Sequence, residues 1–436
     1  MGRRKLSFWE ATAIGLGNIV GAGIFVMAGV AVSEAGAGAL VAFVITAALA
    51  TTVGMNSAEL ASKLPDIEGG VYSFAKATLG DTIGFLVGWF RLISYAVSGA
   101  AVALGFAAYL IDFGLPQLAY FPLAATLIVA LCLVEMRGIK IASEFEKWLV
   151  IFTILGLGLT VVAILFFGRY SPSNFTPLFP FGSLGVIQAA SLAFFAYSGF
   201  NTIATLTPDV EDGAKKVPKA IMTSLGISSA FYMLVVFSLL YATRWTGYGT
   251  ASNPVSLALA AVRAPGPISS VVSVAALTAT LTVTLSLIIA GSRTAKQMGE
   301  DKMLPSFLGR GSRVPTLVIA VVMLSSLALG NVESIALVAN FGVIFSYMLS
   351  GVEVAITRKR QMGGSYLSLG YPYVQIFSVV LSGALMLGLG EQSLVIGSLT
   401  LLVGLVFHSV YEHIVKALPR GGSTEYGQSR QGGGSP

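Results

Sequence analysis

The chain is poor in charge and nearly free of the side chains that soluble enzymes use for chemistry. Asp, Glu, Lys and Arg make up 11% of its 436 residues, against ~25% in an ordinary soluble domain. That scarcity excludes a water-soluble globular protein. Cys132 is the single cysteine, so neither an intramolecular disulfide nor a cysteine metal cluster can form. His408 and His413 are the only histidines, and both fall at the end of the last apolar run. No His/Cys/Asp cluster lies in the apolar core, which argues against an enzyme and against a bound cofactor. None of the 20 acidic residues falls at the centre of an apolar run. A central carboxylate, the usual proton relay of a membrane protein, is therefore not expected.

What the chain has instead is apolar length. Hydrophobic residues make up 55% of it, and runs of 18 or more recur, each enough for a bilayer core of ~30 Å. The pattern predicts an all-α integral membrane protein of about twelve transmembrane helices, near 8–30, 37–62, 82–112, 117–137, 146–168, 183–207, 218–243, 268–292, 314–331, 334–356, 372–390 and 393–416. Of the 26 Lys and Arg, all but Arg91, Arg169, Arg244 and Arg263 fall on one side if the N-terminus is cytoplasmic. Such a bias sets orientation and predicts a multi-pass plasma-membrane protein with both termini cytoplasmic. The net charge of +6 then serves orientation and anionic lipid contact, not nucleic acid. The segment "PVSLALAAV" after Asn253 is expected to form a short helix over the outer mouth. The tail over 417–436 is rich in Gly and Ser and is expected to be flexible and cytoplasmic.

The stretch "GLGNIVGAGIF", Gly15 to Phe25, is anomalous for a spanning helix. Glycine weakens a helix, and the bilayer core has no water to satisfy freed backbone groups. An interruption around Val20–Gly23 would expose amides suited to a carboxylate and carbonyls suited to an ammonium group or a sodium ion. Gly17 and Gly21 also fit a helix-packing pattern, but the density of Gly21-Ala22-Gly23 beside Asn18 favours the break. If helices 1–5 (8–168) and 6–10 (183–356) are two copies, five crossings each force an inverted repeat, with the 372–416 pair added after it. Helix 6 should then be discontinuous like helix 1. Its polar stretch "FFAYSGFNTIATLTPD" stands in the matching place. Residues 1–7 form the cytoplasmic N-tail.

"GLGNIVGAGIF" resembles the first-helix signature of the amino acid–polyamine–organocation (APC) permeases. The resemblance continues in Ala58-Glu59-Leu60-Ala61, Leu64-Pro65, Gly69-Gly70, Tyr72 and Gly88-Trp89, in "GIK" at Gly138, in "FFAYSGFNT" and in "SRTAKQMGEDKMLP". It implies the leucine-transporter-type fold and amino acid transport by alternating access. Carried over, it places the substrate backbone against Gly21, Ala22 and Gly23, with Asn18 beside them, and against Phe195, Ala196, Tyr197 and Ser198. Phe195 falls where members often place an aromatic gate. Asn201 stands where an arginine antiporter of the family carries an acid. With no acid in the pocket, a neutral amino acid is expected.

Coupling is less determined. Proton-coupled members often carry a lysine in helix 5, where this chain has Thr153. "GNIVGAG" also resembles the sodium-coupled neurotransmitter-type transporters, whose shared sodium site would fall here on Gly17, Val20, Thr278 and Thr282, with Thr153 nearby. Neutral oxygen ligands suit a hard cation, yet membrane threonines commonly bond their own helix, and Leu281 stands where a hydroxyl is expected. Sodium coupling, proton coupling and passive exchange, including a polyamine exchanger, stay open, and an ion channel is the alternative of another class. Arg91, about nine residues and so ~13 Å into helix 3, is expected to snorkel or to pair with Glu59 or a helix carbonyl near the cytoplasmic path, with pairing favoured over contact with substrate. Oligomeric state is not read from the sequence.

Overall fold

The computed structural model describes residues 5–417 except 66, 68, 69, 138–142, 250, 252 and 331. Gly69, the "GIK" motif and the tail beyond 417 lie outside the described residues.

All twelve expected apolar segments are helical. The first is α1 (Phe8–Ile19) followed by α2 (Ala22–Ala35). Ser7 starts α1 with a capping box: its hydroxyl accepts from the Glu10 amide, and the Glu10 carboxylate accepts from the Ser7 amide at 2.8 Å. Then come α3 (Ala39–Lys63), α4 (Val71–Leu79), α5 (Asp81–Ile111), α6 (Tyr120–Met136) and α7 (Ser143–Phe167). The sixth segment is α8 (Gly182–Tyr197), a 3-10 turn at Ser198–Phe200 and α9 (Asn201–Thr205). The chain continues through α10 (Gly213–Ala242), α11 (Pro254–Ala261), α12 (Gly266–Glu300), α13 (Arg313–Ser326), α14 (Val332–Lys359), α15 (Tyr373–Leu387) and α16 (Glu391–Ala417).

Among the described residues, nine helical stretches are long and apolar enough to cross a membrane, and Arg313–Leu329 and Tyr373–Leu387 are shorter apolar helices. One of the nine runs over Gly23–Lys63, but Gly36 at φ +60° turns the chain between α2 and α3.

Three local features differ from or extend the sequence reading. The eighth segment continues as helix to Glu300, because "SRTAKQMGE" holds no proline and only one glycine. The helix α4 was not expected; Gly70 and Gly80, at φ +61° and +88°, bracket it. The short helix after Asn253 is present as α11.

The interior is built where α5 packs on α12 and α14, α10 on α3, and α2 on α8. The outer face of α16 shows Leu399, Leu402, Val403 and Val406, each more than half exposed, as expected of a surface that meets lipid tails. Among the described residues there is no named strand. One isolated bridge joins Leu6 to Val210, with Leu6 N–H donating to Asp209 O at 2.8 Å and Glu211 N–H to Leu6 O at 2.9 Å. The start of α1 is thereby tied to the chain just beyond α9.

Candidate substrate site

Helix α1 ends when the Val20 amide donates to the Leu16 carbonyl at 2.7 Å. Gly21 then leaves helical geometry, at ψ −142°, and α2 restarts at Ala22. The expected break in helix 1 is therefore two residues wide, and the first amides of α2 lack intrahelical partners. Helix 6 behaves differently. Ser198 and Asn201, at either end of its 3-10 turn, stay in right-handed helical geometry, so the helix tightens instead of opening. Its interruption is milder than a full discontinuity, because no residue there leaves the helical region to free a run of amides.

The two interruptions lie against each other. A Cβ on Gly23 would stand 2.5 Å from the Ala196 Cα, and one on Gly199 would land on the Asn18 carbonyl. Only glycine permits this approach. Gly17 and Gly21 abut Val150 and Val283 in the same way. The glycines of the first helix thus serve packing as well as the break.

One hydroxyl bridges the pair. Tyr232 on α10 is fully buried, and its OH reaches both the Ile19 carbonyl and, at 2.9 Å, the Ala196 carbonyl. Tyr347 on α14 donates to the Ser198 carbonyl at 2.9 Å. The carbonyls freed at both interruptions are in this way partly satisfied by tyrosines from outside the broken helices.

A cavity of about 50 Å³ lies beside this crossing. Asn18, Gly23, Phe195, Ala196 and Ser198 line it, together with Gly199 and Thr202. Of the other residues expected to touch substrate, Gly21 lies in the break and Ala22 is the first residue of α2. Tyr197 and Asn201 stand behind the wall: Tyr197 is edge-on to Tyr232 at 4.8 Å, and both amide atoms of Asn201 are buried without a hydrogen-bond partner among the described residues. Phe195 reaches the cavity, whereas Phe194 is fully buried and edge-on to Tyr347 at 5.8 Å. Ligand sites typically hold ~300–1,000 Å³, so an amino acid requires this cavity to widen.

The far wall was not foreseen. On α5 it is made by Arg91, Ser94, Tyr95, Ser98 and Val102, and on α12 by Val283, Ser286, Leu287 and Ala290. Both sets follow the spacing of one helix face. The polar stripe on α5 was the available signal.

Arg91 does not pair with Glu59, contrary to the sequence expectation. Glu59 is fully buried and already held: Lys63 Nζ lies 2.7 Å from one carboxylate oxygen, and Arg358 donates to both, at 2.8 and 2.7 Å. The Ser368 amide and hydroxyl add bonds of 2.8 and 2.6 Å. Full satisfaction of one carboxylate leaves no room for a further cation. Arg91 is 4% exposed, and its guanidinium lies 4.4 Å from the Tyr95 ring centre and 5.2 Å from that of Tyr347. Such contacts return ~0.5–2 kcal/mol, less than the several kcal/mol that burying an ion costs.

A second latch lies at the same basic end of the bundle. Asp301, just past α12, meets Lys76 at 2.9 Å and accepts from the Tyr72 hydroxyl at 2.7 Å. Burial, reinforced by the charge of Asp301, holds the Tyr72 phenol well above its ordinary pKa.

For the candidate sodium residues, Gly17 faces Val150 of α7 and Gly21 faces Val283 of α12, so α1 lies between the helices that carry Thr153, Thr278 and Thr282. The Thr278 hydroxyl donates to the Val274 carbonyl at 2.8 Å, and that of Thr282 to the Thr278 and Ala279 carbonyls at 3.0 Å. Their protons are committed to their own helix, as is common for membrane threonines; their lone pairs are not. Among the described residues no group of His, Cys, Asp or Glu is placed to hold a metal ion.

The sequence pattern that defines the amino acid permease family matches residues 6–408. A branched-chain amino acid permease of Bacillus subtilis is 27% identical, over 94% of this chain and 93% of its own length. A methylthioribose transporter of Bacillus subtilis is 29% identical, over 87% of this chain and 86% of its own. An uncharacterised transporter of Mycobacterium tuberculosis is 31% identical, over 99% of this chain and 96% of its own. A family match across nearly the whole chain, on an all-helical bundle with an interrupted first helix, makes this protein a multi-pass membrane transporter of the amino acid permease family, within the APC superfamily.

Proposed function

We propose that this permease moves amino acids with uncharged side chains across the plasma membrane by alternating access through the cavity at the helix 1–helix 6 crossing. The observation that carries the reading is that cavity: it lies where freed backbone meets polar side chains, and it is too small for a substrate until the surrounding helices part. The substrate ammonium group faces the carbonyl end of α1, and its carboxylate faces the amide end of α2. Helices 1–5 and 6–10 act as inverted repeats around this point, with both termini cytoplasmic. The branched-chain permease among the relatives supports an apolar side chain. A buried Arg91 in the wall disfavours a cationic one.

Sodium coupling is part of the proposal, through Gly17, Val20, Thr278 and Thr282 with Thr153 alongside. It is supported by the position of α1 between α7 and α12. The test is uptake of labelled alanine, leucine and arginine into proteoliposomes, comparing inward sodium with choline at matched pH. Sodium-stimulated uptake of leucine or alanine that is lost in Thr282→Val is the expected result. Arginine uptake far above that of leucine refutes the side-chain assignment. Uptake indifferent to sodium but raised by an acidic outside, or by preloaded amino acid, removes the sodium site in favour of proton coupling or exchange.

A further inference from the structure

Arg91 is a cation in the wall of a cavity, and among the described residues no acid is paired with it. It is the eleventh residue of α5, ~15 Å along the helix and well inside the membrane-spanning bundle. Its Nε has no hydrogen-bond partner, and among the described residues no carboxylate lies within ion-pair distance. Glu59 is taken by Lys63 and Arg358. The next buried acid, Glu353, sits on α14 six residues beyond Tyr347, ~9 Å further along that helix. The groups that do face Arg91 are the rings and the hydroxyls of Tyr95 and Tyr347, which carry no charge, and the cavity adds the hydroxyls of Ser94, Ser98 and Ser286.

An ion buried without a counter-ion is unusual in a membrane segment, where ionisable residues face a pathway or a partner. Here the open side is the cavity itself. We propose that Arg91 is the anion-binding residue of the substrate cavity and takes a carboxylate carried by the substrate. The inference rests on the reading of this cavity as the transport site. The guanidinium fork suits a carboxylate in two parallel hydrogen bonds, and the hydroxyls of Ser98 and Ser286 can donate to the remaining lone pairs, whereas that of Ser94 already donates to the Ala339 carbonyl at 2.9 Å. Two carboxylates qualify: the α-carboxylate of any amino acid, held between the amide end of α2 and Arg91 across the one cavity they both line, or the side-chain carboxylate of an acidic one, which would replace the uncharged side-chain assignment proposed above. Both share the chemistry, and both deliver the missing charge only while substrate is bound. Through Tyr347, which donates to the Ser198 carbonyl, occupancy at Arg91 is also relayed to the turn in helix 6.

The test uses the full chain in lipid nanodiscs, with thermal unfolding followed against leucine, glutamate, leucinamide and propionate, for wild type, Arg91→Met and Arg91→Lys. Uptake into proteoliposomes is measured in parallel. Wild type should be stabilised by leucine and by propionate, which has a carboxylate but no amine, and not by leucinamide, which lacks the carboxylate. Arg91→Met should lose at least tenfold in affinity for leucine and propionate, and Arg91→Lys less. The unliganded midpoint of Arg91→Met should equal or exceed that of wild type, because an uncompensated charge is removed; a merely structural arginine would lower it. A tenfold preference for glutamate over leucine assigns the side-chain carboxylate, and no such preference assigns the α-carboxylate. Wild-type affinity for leucine and propionate in Arg91→Met, or indifference of wild type to every carboxylate, overturns the proposal. If wild type binds propionate but transports no amino acid, the transport reading fails while the anion site stands. If Arg91→Met transports leucine and binds propionate as wild type does, the reverse holds.

Discussion

Replacing Gly23 by alanine tests whether close contact of the two interrupted helices is needed for transport. The added Cβ would stand 2.5 Å from the Ala196 Cα and 2.8 Å from its Cβ, where ordinary contact begins at 3.4 Å. The helices must then separate by ~0.9 Å at the cavity wall, since backbone cannot rotate away as a side chain can. Overpacking of this kind costs ~1–3 kcal/mol. If the cost falls on the closed arrangement through which substrate must pass, transport slows by ~5- to ~150-fold, at ~1.4 kcal/mol per tenfold. The assay is initial uptake into proteoliposomes with the unfolding midpoint measured on the same preparation. Gly158→Ala is the control: nothing lies within 4 Å of its Cβ, so uptake should be unchanged and the helix stabilised by ~0.5–1 kcal/mol. Wild-type uptake by Gly23→Ala would show that the approach of α2 to α8 is incidental, and the argument that glycine is required there would fall.

Three further outcomes follow from the same geometry. Tyr232→Phe removes the hydroxyl shared by the Ile19 and Ala196 carbonyls and leaves buried acceptors unpaired; a loss of ~1–3 kcal/mol should appear as a lower unfolding midpoint, with faster amide exchange around residues 19–23. Glu59→Gln leaves Lys63 and Arg358 facing an uncharged amide. Breaking a buried pair costs ~3–5 kcal/mol, so folded yield should fall sharply, and a double variant with Arg358→Gln should recover part of it. Phe195→Ala opens the cavity wall and should raise the KM for leucine more than it lowers the turnover rate, measured by concentration-dependent uptake.

The helical segments were legible because apolar length is a local property. Each run exceeds what a bilayer requires, and no distant residue changes that. The break at Val20–Gly21 was legible for a similar reason: two glycines, Gly21 and Gly23, fall within three residues, and glycine weakens a helix locally. Helix 6 was read less accurately. Ser198, Gly199 and Asn201 are compatible with both an open break and a tight turn, and the packing of Gly199 on the Asn18 carbonyl selects the turn. Arg91 was misplaced because depth along a helix can be counted while the choice of partner cannot. Glu59 is an acid near the end of a neighbouring helix, yet Arg358, 299 positions away from it, holds it. The stripe of Arg91, Ser94, Tyr95 and Ser98 was visible in the letters; its weight became evident only once the opposite wall, from α12, closed the cavity. The Tyr232 bridge left no comparable signal, since a tyrosine in an apolar run is ordinary.

The short pairing of Leu6 with Val210 bears on how motion in this protein can be watched. Two backbone hydrogen bonds tie the start of the first helix to the chain beyond the sixth. A spectroscopic label near residue 5 therefore reports on both interrupted helices at once. If they travel as a pair, its distance to a second label at Lys216, past the pairing on the same side, stays constant through a transport cycle, while its distance to one at Lys76 changes. The same tie warns against a bulky fusion at the N-terminus, which would load both helices, and makes the end beyond α16 the better place to attach one.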